Sequence, residues 1–205
     1  MSAIQQVILG YGAASTPSGV TWNPADKDSL ITLSGGDLLA TRSGSDNSWR
    51  SVRATTSRNA GKFYFEIVNT TSVSTGMMAG IGTSAAALAS YPGAGTTSWG
   101  FHANASGSET YHNGSSSNSG GSQVGSGSYA RIAVDLDAGK LWLGTSGSWE
   151  GGGDPASGTS PTYSFTSGID LFPMLGMYKT NQACTLRAAA GAMGGSIPSG
   201  FSAWQ

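Results

Sequence analysis

The sequence predicts an all-β protein, an antiparallel β-sandwich or jelly roll. Three observations carry this. Apolar residues recur at every second position in several short runs. Glycine fills 32 of 205 positions and clusters with Ser and Asn between those runs. No stretch of helical length carries an apolar stripe at 3.6-residue spacing.

The elements follow in chain order. Residues 30–33 and 50–55 are the first strand candidates. In residues 62–68, Phe63, Phe65 and Ile67 share one face, and Glu66 falls on the less buried one. Residues 77–81 and 98–103 continue the series, and residues 84–90 between them are Ala-rich but long enough only for a turn or two of helix. Asn113-Gly114 is a hairpin-turn signal. Residues 115–128 are Ser or Gly at eleven of fourteen positions and read as a surface loop. In residues 130–136, Ile132, Val134 and Leu136 share a face, with Arg131 and Asp135 opposite. Asp137-Ala138-Gly139-Lys140 then turns the chain into Leu141-Trp142-Leu143, a second hairpin. Residues 151–161, rich in Gly, Asp, Pro and Ser, form another loop. Residues 172–178 and Ala183–Arg187 complete the strands.

Residues 1–20 stand apart as an arm on the domain of residues 21–205. The arm has no charged side chain before Asp26, and Ile4, Val7, Ile8, Leu9 and Tyr11 give it an apolar patch. It reads equally as a docking segment or as an edge strand or frayed terminus. No Lys or Arg precedes Val7-Ile8-Leu9, which speaks against a secretory signal, and no apolar run approaches the ~20 residues of a membrane helix. Ten basic against eleven acidic side chains leave no electrostatic footprint for nucleic acid. Cys184 is the single cysteine, which excludes an internal disulfide and points to synthesis in a cytoplasm.

The ordered series of motifs resembles a known family. Val52-Arg53-Ala54-Thr55 and Gly61-Lys62-Phe63-Tyr64-Phe65-Glu66 look like the opening strands of a SPRY domain. Ser98-Trp99-Gly100-Phe101, Tyr111-His112-Asn113-Gly114 and Val134-Asp135-Leu136-Asp137-Ala138-Gly139-Lys140-Leu141-Trp142 match its middle. Residues 151–161, Leu171-Phe172-Pro173 and Pro198-Ser199-Gly200-Phe201 match its end. The wording is most similar to bacteriophage-encoded SPRY domains, and Ala3-Ile4-Gln5-Gln6 through Gly10-Tyr11-Gly12 resembles the start of phage tail-associated proteins. The resemblance implies a concanavalin-like jelly roll that recognises ligands through its loops and brings no catalytic residues with it.

Catalytic chemistry finds little support in the residues. Asp135 and Asp137 lie two apart on a strand, about 7 Å, a spacing open to an inverting glycosidase. They serve equally well as turn caps or as partners of Arg131 or Lys140. No Gly-x-Ser-x-Gly elbow occurs, and Cys184 alternates with Leu186 as a buried apolar residue. Gly80-Ile81-Gly82-Thr83-Ser84-Ala85 and Gly125-Ser126-Gly127-Ser128-Tyr129-Ala130 fit a nucleotide-loop spacing, but neither opens a helix. No cofactor or metal site is expected.

Binding residues are the better lead. Trp99, Trp142 and Trp204 are expected in the core, whereas Trp49 and Trp149 lie in polar loops. Exposed aromatics beside Asn, Asp and Arg suit stacking on sugars or anchoring in a protein pocket. Arg50, Tyr91 and Asp154 are expected to complete that surface. His102 and His112 are either ligand contacts or solvated strand ends. The expected protein is a non-enzymatic phage virion module, docked through its arm to other virion proteins and binding a host-surface glycan or protein. The alternatives are a decoration protein touching only virion subunits, or a glycan hydrolase using Asp135 and Asp137. A homo-oligomer would suit a tail attachment, although no heptad or repeat marks one.

Overall fold

A computed structural model describes residues 19–71, 77–104, 107–118 and 124–205. The arm residues Ile4, Val7, Ile8, Leu9 and Tyr11 lie outside that range. The strands are β1 (Trp22–Lys27), β2 (Ile31–Ser34), β3 (Leu39–Arg42), β4 (Arg50–Ala54), β5 (Lys62–Asn69), β6 (Met77–Gly82), β7 (Ser98–Asn104) and β8 (Gly107–His112). They continue with β9 (Ser115–Asn118), β10 (Tyr129–Asp135), β11 (Lys140–Thr145), β12 (Tyr163–Ser164), β13 (Phe172–Met177), β14 (Ala183–Arg187) and β15 (Ser202–Ala203). Among the described residues the helical content is two 3-10 turns, Glu150–Gly152 and Ala190–Ala192.

The strands form two sheets. The first runs β1-β4-β13-β6-β7-β8-β9 and the second β12-β11-β10-β5-β14-β3-β2. All the ladders are antiparallel except that of β15, which adds two residues parallel to β5 beside Phe63 and Tyr64. The late strands β13 and β14 insert between early ones, so each sheet is closed by chain from both ends of the sequence.

Period-two alternation sorts the faces. Ile132 and Val134, with Leu136 beyond, point inward beside Phe65 and Ile67, and meet Val52, Ile81, Phe101 and Leu175 from the first sheet. Each fully buried Leu, Ile or Phe contributes about 1.5–3 kcal/mol. Trp22, Trp99 and Trp204 join this core, while Trp142 faces outward into a smaller cluster with Tyr64 and Ala133. Residues 188–201 cover that cluster through Met193, Ile197 and Phe201, so this part of the second sheet is buried on both sides.

Two sequence expectations need correction. Residues 115–118 form strand β9 within the expected loop. Asn113 (φ 52°) and Gly114 (φ 72°) both take the left-handed region, and this turn returns the chain antiparallel to β8. The ladder is made by backbone groups, so Ser-Ser-Ser-Asn needs no β-propensity of its own. Glu66, expected on the wetter face, is fully buried. Its carboxylate accepts hydrogen bonds from Tyr64 Oη (2.7 Å), Gly194 N (2.7 Å) and Gly195 N (2.8 Å), with Arg187 Nη1 at 3.5 Å.

Candidate functional site

The outer face of the first sheet carries the site, and its glycines shape it. Alternation in β6 sends Met77, Ala79 and Ile81 into the core, leaving Met78, Gly80 and Gly82 outside. Gly80 pairs with Gly100, and Gly176 with Met78, so glycine leaves stretches of bare backbone in the middle of this face. The segment between β6 and β7 lies directly on it. A Cβ on Gly100 would sit 1.9 Å from the Pro92 carbonyl oxygen, and one on Gly176 2.8 Å from Pro92 Cδ. Ser51 Oγ donates to the Ser90 carbonyl (2.6 Å), Ser51 N to Leu88 O (2.7 Å), and Arg53 Nη1 to Ala86 O. Arg53 is itself held by a two-pronged pair with Asp26, 2.7 Å for each prong. These bonds fix Tyr91 over the sheet.

Trp49 arrives from the other side, on the connection between β3 and β4. Arg42 is fully buried beneath that connection, and its Nη2 donates to Asp46 Oδ1 (2.6 Å) and to the Asp46 carbonyl (3.1 Å). Arg50 Nη2 donates to Asp46 Oδ2 (3.0 Å), and its Nε lies 3.4 Å from Asp28 Oδ1. Ser48 Oγ donates to Asp46 as well. The Ser48 hydrogen bond, then that from Arg42, holds the Asp46 carboxyl down at about 2.

So fastened, the Trp49 ring lies 5.3 Å from Tyr91, 5.3 Å from Tyr178 and 5.8 Å from His102. Tyr111 extends the cluster, 5.7 Å from Tyr91 and 6.4 Å from His102. All five rings are half-buried. Tyr111 Oη donates to Glu109 Oε2 (2.9 Å), which lies 3.6 Å from His102 Nδ1. Burial, and next the Glu109 bond, push the Tyr111 hydroxyl up to about 12. Burial lowers the His102 pKa, with Glu109 pulling the other way. The Lys179 ammonium lies 5.3 Å from the Tyr178 ring. The product is an aromatic platform with an acid, a histidine and basic side chains at its margin, suited to contact by flat or apolar groups with polar ends.

The structure thus brings Trp49, Arg50, Tyr91 and His102 together and places the other candidates elsewhere. His102 lies within β7 against the aromatic rings, not at a solvated strand end. His112 stacks flat on Trp99 at 4.8 Å on the opposite side of the ladder, and its Nδ1–H donates to the Ser98 carbonyl (2.9 Å). Trp149 is half-buried on the second sheet, 4.1 Å from the Arg131 guanidinium and 6.3 Å from Tyr64. Asp154 is exposed and caps its own turn, accepting from Ala156 N (3.0 Å) and Ser157 Oγ (2.7 Å).

The carboxylates considered for hydrolysis hold loops. Asp135 pairs with Lys62 (2.9 Å), rather than Arg131 or Lys140, and accepts from Ala138 N (2.9 Å). Asp137 is exposed and accepts from Gly61 N (2.9 Å). Cys184 is fully buried, which pushes its thiol pKa up. Among the described residues no cluster of three metal-ligating side chains occurs. Sequence reasoning passed over Tyr111, Tyr178 and Glu109 as site residues. Their signal is alternation, because Glu109 and Tyr111 share one face of β8, and Tyr178 continues the outward face of Met174 and Gly176.

An all-β sandwich of this topology is the architecture of SPRY domains, and solved structures agree. The chain is similar to the TRIM65 PSpry domain, with a TM-score of 0.61 at 19% identity over 82% of this chain and 88% of that one. It is similar to the SPRY domain of human HERC1, with a TM-score of 0.64 at 15% identity over 81% and 96%. A further human SPRY domain matches with a TM-score of 0.56 at 18% identity over 83% and 97%. No protein-family model matches the sequence, and no curated protein does. The likeness is one of fold.

Proposed function

We propose that this chain is a non-enzymatic binding module of a bacteriophage particle and that it engages a host-surface protein or glycan through the platform around Trp49. The observation that carries the binding surface is the convergence of Trp49, Tyr91, His102, Tyr111 and Tyr178 from five separate chain segments on a face that the core does not use. Tryptophan, tyrosine and arginine lead interface energetics because they bury large area at little rotamer cost. The SPRY-like fold supports reading the chain as a protein-interaction module. The phage setting rests on the sequence resemblance and the uncharged arm, residues 1–20. Many weak copies on one particle would supply avidity without new contacts.

The test uses the purified full chain on host cells and on envelope glycans, beside a Trp49→Ala variant. Binding that falls at least tenfold in the variant supports the reading. Equal binding by both removes the platform, and no binding above a control protein removes the adhesin. Deleting residues 1–17 separates the decoration role: virion incorporation should be lost under either role, whereas host attachment changes only for an adhesin.

A further inference from the structure

Three acids are buried among the described residues, and one differs from the other two. Asp135 has Lys62 at 2.9 Å. Glu66 has two backbone N–H groups, a tyrosine hydroxyl and Arg187. The carboxylate of Glu150, a residue only 4% exposed, accepts one hydrogen bond, from Ser108 Oγ to Oε2 (2.8 Å). Its Oε1 has no partner, and no Lys or Arg among the described residues forms an ion pair with it. A buried carboxylate in that condition is costly, and an incoming donor, above all a cationic one, recovers the cost.

Glu150 lines a cavity of about 210 Å³ with Thr110, Gly151, Ser160, Pro161 and Thr162. The cavity opens at the edge of the sandwich, between β8 of the first sheet and the connection from the 3-10 turn to β12 of the second. It is below the roughly 300–1,000 Å³ of a drug-sized site, so it suits the end of a side chain rather than a whole molecule. Its lining includes three hydroxyl residues, of which Thr162 already accepts Leu143 N on one lone pair of Oγ1 (3.0 Å) and keeps the other, and a proline ring. The last torsion of a glutamate is broad, so the carboxylate can reorient toward a donor that enters the cavity.

We infer that this cavity is a binding site for a primary ammonium group on a short apolar stem, of the kind a lysine side chain presents. The Glu150 carboxylate supplies the charge, the hydroxyls of Thr110, Ser160 and Thr162 take the remaining N–H donors, and Pro161 packs on the stem. Calcium fits poorly, because it requires six to eight oxygen ligands, usually with more than one carboxylate. The site is independent of the Trp49 platform and can fail without it.

The experiment is an NMR amide-shift titration of the full chain with n-butylammonium chloride, n-butanol and calcium chloride in parallel. The expected result is saturable shifts at the amides of Thr110, Gly151 and Thr162 with butylammonium alone, at least fivefold weaker in a Glu150→Gln variant. Butanol shifting the same amides equally would overturn the inference, as would calcium doing so or no saturable shift with the amine. The three-ligand comparison on the unaltered protein decides the matter even if Glu150→Gln does not fold.

Discussion

The indole of Trp49 stands edge-on to the imidazole of His102, centroids 5.8 Å apart and planes at 86°. The contact joins the loop before β4 to the middle of β7 across a face that carries Gly80, Gly100 and Gly176. Trp49 also packs on Tyr91 and Tyr178, so on the face away from the core one side chain joins β7, the segment before it and the residue that follows β13.

Replacing Trp49 with Ala removes all three ring contacts from a half-buried position. The expected loss is about 1–2 kcal/mol of stability, a fall in Tm of roughly 2–8 °C for a chain this size. Calorimetry checks the size. Loss of near-ultraviolet dichroism with unchanged far-ultraviolet dichroism would show that the platform, and not the sandwich, is altered.

His102 gives this face a pH dependence. Burial lowers its folded pKa below the unfolded value of 6.5, so between the two values the unfolded chain binds more protons. Stability therefore rises with pH through that window, is fully present above about 6.5, and is lost as pH falls. The difference in denaturation midpoint between pH 5.5 and pH 7.5 should shrink in a His102→Gln variant. An unchanged difference would mean that His102 titrates as it does in the unfolded chain.

Much of the frame was legible because a strand writes its burial at every second residue. Residues 62–68 and 130–136 declared their inward faces, and Asn113-Gly114 declared a turn that the backbone confirms. What stayed hidden depends on non-local covering. Nothing near Glu66 announces that Gly194 and Gly195, far along the chain, close over it. Trp49 and Trp149 share the same polar surroundings in sequence, yet one joins the platform and the other stacks on Arg131 on the opposite sheet. Loop composition tells which residues leave a strand, but not which face the loop then crosses.

Gly100 tests how the platform is built. A methyl group there would meet the Pro92 carbonyl oxygen at 1.9 Å, with backbone on both sides of the clash. Gly100→Ala should lift the segment that carries Tyr91, at a cost of roughly 1–3 kcal/mol. Ligand binding through the platform should fall with Trp49 itself untouched. Hydrogen exchange read at residues 83–97 would locate the effect, and unchanged protection there would refute the seating.

The second sheet is closed by one carboxylate. Glu66 receives Tyr64 and Gly195 on Oε1 at 2.7 and 2.8 Å and Gly194 on Oε2 at 2.7 Å, so both of its oxygens act as acceptors. In Glu66→Gln one oxygen becomes an NH₂, so a donor faces a donor at one of these contacts. A buried N–H or O–H then loses its acceptor, and the charge that Arg187 approaches disappears. Charge-assisted hydrogen bonds of this kind are worth about 1.5–3 kcal/mol each, so the expected cost is roughly 2–3 kcal/mol. It should fall unevenly: residues 188–201 open first, exposing Trp142 and Tyr64, while the core between the sheets persists. Limited proteolysis should cut within residues 188–201 before any other site. Uniform destabilisation with no early cut would mean that the segment is held by its apolar contacts, Met193, Ile197 and Phe201, and not by Glu66.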